Sequence, residues 1–186
     1  MEELKNEVSR LLNGESESDR SDCLSIIIDS GFKILSDKKD FQYKSLRLKD
    51  ANTLFQMGLL KMISVHRTAE RFEYVNPYNS TFYLPDMRDP FSVWPIVRSQ
   101  FENYCNFNHL YVFHKNEEFA NILYGLWAIS GFKYRQKLTV ASPENIEKKE
   151  REKENIESLI QEIKSNSFYT HLKSEGRDAI LNAIKK

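Results

Sequence analysis

Glycine and proline are scarce in this chain of 186 residues, which contains 6 Gly and 5 Pro. An all-β sandwich or barrel joins many short strands through turns that depend on these two residues. The shortage therefore argues against both β architectures. It is compatible with long helices joined by few turns, and this is the class that the rest of the sequence supports.

Net charge is also absent, because 27 basic residues balance 27 acidic ones. No global field draws the protein toward nucleic acid or toward an anionic membrane surface. Two local basic stretches remain, Lys44–Lys49 and Lys133–Lys137. The second lies at a predicted helix C-terminus, where cations complement the helix dipole. Because Tyr134 interrupts it, RNA stays open as an alternative partner.

Sequence motifs for cofactors, metals and acyl transfer are missing. There is no Gly-x-Gly-x-x-Gly, Walker, Gly-x-Ser-x-Gly or Cys-x-x-Cys sequence, and no Glu-x-x-His of the kind that di-iron bundles require. Cys23 and Cys105 are expected to be free thiols, with Cys105 buried and inert beside Phe101. His109 and His114, five residues apart, would point in different directions on a regular helix. Neither a metal nor a cofactor is therefore expected.

Long hydrophobic runs are missing as well. The longest apolar stretch, Phe119–Phe132, is interrupted by polar residues and glycines. It falls short of the ~18 apolar residues that cross a membrane. The first residues, Met1–Glu7, are charged and lack the apolar segment of a signal peptide. The sequence predicts a cytoplasmic protein with no membrane partner.

Aromatic residues, in contrast, are plentiful, with 12 Phe, 9 Tyr and 2 Trp. They supply core material for a single helical-bundle domain over residues 1–186. Apolar residues recur at i, i+3, i+4 and i+7 through most of the chain, which indicates amphipathic helices. Residues 1–20 are predicted to form an N-terminal helix and a polar loop. The elements predicted before residue 90 are a helix over Glu3–Leu12, a loop over Gly14–Asp22, a helix over Leu24–Leu35, a helix over Asp50–Phe72 and a short extended piece at Thr81–Leu84.

The most apolar helices are predicted over Ser92–His114 and Glu117–Leu138. Asp89 followed by Pro90 is typical of a helix start. The connection at Asn116–Glu118 is short, which makes the two helices antiparallel neighbours. Both are apolar on nearly every side and are expected at the centre of the fold. The predicted fold class is all-α, a helical bundle of five to seven helices with this central antiparallel helical hairpin.

Residues 142–186 are predicted to form a charged helix and a short terminal helix. Ser142–Glu144 is a serine-proline-acid start, and Ser174 is predicted to cap the last helix. The stretch Glu147–Glu154 has no apolar face and is expected in water, whereas the following turns carry several isoleucines. The helix over residues 142–166 is therefore predicted to bind a protein partner or a second copy of the chain.

One polar stripe on the first central helix is the candidate catalytic site. It repeats at i, i+4, i+7 and i+11 and consists of Arg98, Glu102, Cys105 and His109. These positions share one side of the helix, at the border of an apolar face. One interpretation is a half-buried ion pair between Arg98 and Glu102, with His109 as a core histidine. The other is a catalytic site in which Arg98 holds an anion and Glu102 or His109 acts as acid or base.

The segment Pro90–Glu102, Pro-Phe-Ser-Val-Trp-Pro-Ile-Val-Arg-Ser-Gln-Phe-Glu, resembles an uncharacterised bacterial family of helical domains. That family has an Arg-Ser/Thr-x-x-Glu helix, matched here by Arg98, Ser99 and Glu102. It is distantly similar to the HEPN bundles of toxin–antitoxin and phage-defence systems. HEPN nucleases carry an Arg followed by a His after four to six residues, whereas ten residues separate Arg98 from His109. The resemblance implies the helical fold rather than the nuclease activity.

Two function classes follow. The first is a non-catalytic interaction or regulatory domain of a bacterial cytoplasmic protein, in a phage-defence or stress setting. The alternative is a HEPN-like ribonuclease or toxin-type enzyme that uses Arg98, Glu102 and His109. The first is preferred because the second lacks the arginine–histidine spacing that defines it.

Overall fold

The structure is a computed structural model that describes residues 6, 9–10, 13, 16–39, 42–43, 45–79 and 81–185. Within these residues it contains seven α-helices, one π-helical turn and one pair of short strands. The all-α class predicted from the sequence is therefore confirmed. None of the described helices is both long and apolar enough to cross a membrane. The helix predicted over Glu3–Leu12 falls mostly outside the described residues.

The chain divides into two compact units, Met1–Phe107 and Asn108–Lys186. The single domain predicted over residues 1–186 stays a prediction. The first unit contains α1 (Glu17–Asp37), α2 (Leu46–Ala69), β1 (Phe72–Val75), β2 (Tyr83–Met87) and α3 (Pro90–Phe107). The second contains the π-helical turn (Asn108–Val112), α4 (Glu117–Gln136), α5 (Pro143–Ser165), α6 (Ser167–His171) and α7 (Ser174–Lys185). The two helices of the predicted central hairpin thus belong to different units.

Helix α1 begins earlier than the sequence pattern predicts. The Ser16 hydroxyl accepts a hydrogen bond from the Asp19 N–H at 3.0 Å, and the Asp19 carboxylate accepts one from the Ser16 N–H at 3.2 Å. This reciprocal capping box satisfies two backbone donors that a helix start leaves open. The prediction of a loop over Gly14–Asp22 is wrong from Glu17 onward, because the cap stabilises a first turn that has no apolar face.

Both ends of α2 also differ from the prediction. The Ser45 hydroxyl accepts a hydrogen bond from the Leu48 N–H at 3.3 Å, so the helix starts ahead of the first residue predicted, Asp50. At the other end, Glu70 adopts an extended conformation and ends the helix. Phe72, predicted as the last helical residue, is instead the first residue of β1.

β1 and β2 form an antiparallel hairpin, where the sequence predicts only an extended piece at Thr81–Leu84. Val75 pairs with Tyr83, and an extra residue in β2 shifts the register further along the hairpin. Asp86, next to this bulge, has a φ of 55°. Its carboxylate forms an ion pair with Arg71, which lies just before β1. This cross-strand pair links the bulge to the neighbouring strand.

Helix α2 packs against both α1 and α3 in the first unit. Its buried apolar residues are Leu54 and Leu59. Gly31 of α1 allows a close approach, since a Cβ at this position would lie 2.9 Å from Leu59 Cδ1 and closer still to Cδ2. The glycine in α1 thus determines how near the two helices come.

The second unit has its core around α4, as the sequence predicts for the helix over Glu117–Leu138. The helix start predicted at Ser142 is confirmed, and the last helix begins at Ser174 itself, one residue earlier than the predicted Ser174 cap implies. Ile156 and Ile160 of α5 pack against the core, so the apolar side of the helix proposed for self-association is used within its own unit. The core consists of Ile122, Tyr124, Ala128, Ile129, Leu159, Ile163, Tyr169 and Ile184.

The first helix of the predicted hairpin differs more from its prediction. α-Helical geometry ends at Phe107, and the π-helical turn follows in place of the α-helix predicted to His114. Asn103 is the only buried residue of α3, whereas α4 has six. α3 therefore does not take the central position that the sequence predicts for both helices. Its apolar residues lie on two sides, and only one of these sides packs against α2.

Candidate functional site

The start of α3 is fixed by Asp89, as predicted. Its carboxylate accepts a hydrogen bond from the Ser92 N–H at 3.0 Å. The hydroxyl of Ser92 also donates to this carboxylate, and the two bonds hold the pKa of Asp89 below its ordinary value. Pro90 is the first helical residue, where its missing N–H costs nothing. The cap therefore fixes the residue at which the helix begins.

Polar contacts attach one side of α3 to α2. The Asn103 amide donates to the Leu54 carbonyl at 3.1 Å, and Lys61 Nζ donates to the Ser99 carbonyl at 3.1 Å. Gly58 leaves room for the amide, since a Cβ there would lie 3.1 Å from Asn103 Nδ2. The one buried residue on the packed side of α3 is therefore an asparagine, and the aromatic Phe107 packs against Phe55 of α2 at the end of the helix.

The opposite side of α3 carries large aromatic side chains that are exposed. We call it the aromatic face, and its members are Phe91 (86% exposed), Trp94 (70%), Phe101 (64%) and Tyr104 (60%). At 100° per residue these positions lie within about 140° of one another, and Trp94 is directly opposite Asn103. Scattered exposed apolar residues are ordinary on protein surfaces, but a contiguous patch of this kind is typical of an interaction site.

Arg98 and Glu102 lie within the aromatic face and form the predicted ion pair. Arg98 Nε donates to Glu102 Oε1 at 3.1 Å. The pair is not half-buried as predicted, because the two side chains are 82% and 60% exposed. The reason is that the opposite side of α3 packs against α2. An exposed pair one turn apart contributes only about 0.3–0.5 kcal/mol, so it does little for the stability of the unit.

The other two members of the predicted stripe also differ from their predictions. Cys105 is exposed, and the expectation of a buried thiol is wrong because it shares the outward side of α3. His109 is exposed and lies in the π-helical turn of the second unit. It is therefore not the core histidine of the first interpretation. The structure brings Arg98 and Glu102 together, and it places His109 in a different compact unit.

The π-helical turn changes the relation between His109 and His114. Their ring centroids are 5.2 Å apart in an edge-to-face arrangement. The π-helical turn ends at Val112, so the chain has left helical geometry before His114, and the prediction of divergent side chains, which assumed an α-helix, is wrong. The His114 ring also contacts Phe119 edge-to-face at 5.0 Å. The two imidazoles and the Phe119 ring thus form a chain of edge-to-face contacts, and among the described residues no group of three metal-ligating side chains is found.

The second unit contains a buried ion pair that the sequence does not predict. Glu152 accepts a hydrogen bond from Arg135 Nε at 2.8 Å, and its side chain is only 9% exposed. Gln136 donates to the same carboxylate at 3.4 Å. The charged run Glu147–Glu154 is therefore not entirely in water as predicted. One glutamate in a charged run carries no signal of its own, but a cation at the end of the preceding helix is a partner that such a glutamate can use.

The first unit also contains a cavity of about 370 Å³. It opens between the end of α1, the start of α2 and the last residue of α3. Three of its lining residues have polar side chains, namely Lys38, Tyr43 and Asn52. The others are apolar: Ile34, Leu35, Leu48, Ala51, Phe55 and Phe107. Because these residues come from separate stretches of the chain, no local sequence pattern indicates the cavity.

Comparisons with known proteins give no match: no protein-family model, no curated protein and no solved structure is significantly similar to this chain. The resemblance to a bacterial helical family and to HEPN domains therefore stays a prediction. A functional proposal therefore rests on the arrangement of the described side chains. The aromatic face of α3 is the most distinctive surface that they form.

Proposed function

We propose that this chain is a non-catalytic interaction domain of a bacterial cytoplasmic protein, acting in a defence or stress setting, and that it binds another protein through the aromatic face of α3. The observation that supports the proposal is the exposure of Phe91, Trp94 and Phe101 on one side of one helix. Burying a large aromatic side chain contributes about 1.5–3 kcal/mol. A partner that covers several of them gains enough free energy for stable binding.

The composition of this surface also fits a protein partner. Aromatic residues and arginine are enriched in the energetically important centres of protein interfaces, and Arg98 lies between Trp94 and Phe101 along the helix. Glu102 is already paired with Arg98, so a partner that covers the face does not bury an unpaired carboxylate.

The ribonuclease alternative receives less support from the same residues. A general acid or base usually acquires a useful pKa from burial or from a nearby charge in a cleft. Glu102 is mostly in water and is bonded to Arg98, and His109 belongs to the other compact unit. We therefore assign Arg98 and Glu102 to a contact surface.

Site-specific photo-cross-linking tests the proposal. Phe101 is replaced by a photo-reactive benzoylphenylalanine in cells that produce the protein, and the exposed Gln56 of α2 is replaced in the same way as the control. A discrete protein adduct is expected from position 101 and not from position 56. An absence of protein adducts at position 101 in a folded sample contradicts the proposal. RNA cleavage that is abolished by Arg98→Ala, with folding retained, would favour the enzyme instead.

A further inference from the structure

Four exposed residues of α3 repeat with the spacing of a helix–helix seam. They are Trp94, Arg98, Phe101 and Cys105. The intervals of four, three and four residues average about 3.7, close to the 3.6 residues of one helical turn, so the four positions stay on one side of the helix. At 100° per residue the four positions lie within about 60° of one another. We call this stripe the seam.

The seam of one copy is complementary to the seam of a second copy that runs antiparallel to it. An antiparallel second seam places Cys105 of the second copy beside Trp94, so that a large side chain meets a small one. It also places Phe101 of the second copy beside Arg98, where the guanidinium can lie over the ring. Each of these contacts occurs twice, because a two-fold axis exchanges the two copies.

The same arrangement is favourable for charge. In the single chain Arg98 bonds Glu102 one turn away, and both groups are exposed. In the antiparallel pair each Arg98 also faces the Glu102 of the second copy. Opposite charges therefore meet across the axis. A parallel arrangement would instead place Arg98 against Arg98, which is a repulsive contact.

We propose that the partner of the aromatic face is a second copy of this chain, bound through antiparallel packing of the two α3 seams. This inference rests on the proposed function, since it names the occupant of the same surface. The four residues of the aromatic face expose roughly 500 Å² per copy if each aromatic side chain offers on the order of 150–250 Å². That is a large part of the ~800 Å² that each partner of a standard interface buries.

Disulfide trapping tests the geometry. We use the full chain with Cys23→Ser, so that Cys105 is the only remaining cysteine, and add Trp94→Cys. The two positions are eleven residues apart on one helix, about 16 Å along the axis. This is beyond the ~7 Å Cα separation that a disulfide can span, so no bond forms within one chain. A mild oxidant is expected to convert most of the protein to covalent dimer.

Two controls make the result specific. Ser92→Cys in the same background introduces a thiol at an exposed position near the same end of α3, outside the seam, and is expected to form no covalent dimer. The background alone, with Cys105, is also expected to form no covalent dimer, because antiparallel packing keeps the two Cys105 residues apart. Circular dichroism confirms that each variant keeps its helices.

Light scattering supplies a second measurement that needs no oxidant. The unmodified chain is expected at twice the monomer mass, and Arg98→Glu is expected to shift it to the monomer mass by setting carboxylates against each other at Glu102. A monomeric unmodified chain, or trapping through Cys105 alone, overturns the antiparallel dimer. If the chain is monomeric but position 101 still cross-links to a different protein, the proposed function holds and only the identity of the partner is wrong. If no protein adduct forms at all, both fail.

Discussion

Arg135→Ala is expected to destabilise the second unit much more than Arg98→Ala destabilises the first, although each arginine bonds a glutamate through Nε. The distances are similar, 2.8 Å from Arg135 to Glu152 and 3.1 Å from Arg98 to Glu102. The environments differ, since the Glu152 side chain is buried between α4 and α5 and the Glu102 side chain is in water. Burial of the carboxylate is therefore the variable that the comparison isolates.

The expected magnitudes follow from these environments. An exposed ion pair one helical turn apart contributes about 0.3–0.5 kcal/mol, which is the predicted cost of Arg98→Ala in the monomeric chain, measured at a protein concentration too low for the proposed dimer to form. A hydrogen bond to a charged group contributes about 1.5–3 kcal/mol, and its loss leaves the Glu152 carboxylate buried. Arg135 is itself about half exposed, and Gln136 still donates to Glu152 after the substitution. We therefore expect the lower half of the range, about 1.5–2 kcal/mol, for Arg135→Ala.

The two tryptophans allow each unit to be followed separately. Trp94 belongs to α3 in the first unit, and Trp127 belongs to α4 in the second. Urea unfolding is measured by fluorescence in Trp94→Phe and Trp127→Phe backgrounds, so that one reporter remains each time. The free energy of unfolding is obtained from the midpoint and the slope.

A double-mutant cycle then separates the ion pair from the other contacts of each arginine. Arg135→Ala is combined with Glu152→Ala, and Arg98→Ala with Glu102→Ala, and the coupling energy of each pair is calculated. A coupling above ~1 kcal/mol is expected for the first pair and below ~0.5 kcal/mol for the second. Equal couplings, or a larger one for the pair on α3, would refute the argument from burial.

Two further predictions concern packing and ionisation. Gly125→Val is expected to destabilise the second unit by about 1–3 kcal/mol through overpacking, because a Cβ there would already lie 3.0 Å from Ile163 Cδ1. Gly131→Val is the control, since the nearest atom to its Cβ would be 3.9 Å away; equal losses in urea unfolding would contradict the packing argument. Partial desolvation and a hydrogen bond to Glu73 raise the pKa of Tyr83, because both favour the neutral phenol. The stability that the neutral phenol contributes is fully present below the ordinary tyrosine pKa and is lost as the pH rises through the raised pKa. Glu73→Gln is expected to lower the pKa of Tyr83 in an NMR titration of the ring, and an unchanged value would show that the carboxylate has no effect.

Helix starts are the part of the fold that the sequence predicts best, because a cap is a local interaction. Asp89 before Pro90 and Ser142 before a proline each combine a side-chain acceptor with a residue suited to the first turn. Both begin helices where predicted. Ser16 and Ser45 are equally effective caps, but the turns that they begin have little apolar periodicity. The apolar pattern therefore predicts a start for each of these two helices that is later than the observed one.

The burial of α3 could not be predicted in the same way. Aromatic residues occupy most of the helix surface, and periodicity alone does not indicate which side packs against α2. The structure buries Asn103 and leaves Trp94 exposed, because the asparagine amide finds the Leu54 carbonyl. The π-helical turn that brings His109 to His114 likewise has no known signal in a single sequence.

The hairpin of the first unit has two outer edges with different capacities for further strand pairing. Pro85 has no N–H to offer, and the bulge with Asp86 interrupts the outer edge of β2. The outer edge of β1 contains neither feature, and its side chains, including Phe72 and Tyr74, are exposed. A two-stranded sheet is only marginally stable by itself. Strand addition to this protein, whether by a bound peptide or during aggregation, would therefore occur at β1 and extend the sheet in one direction only.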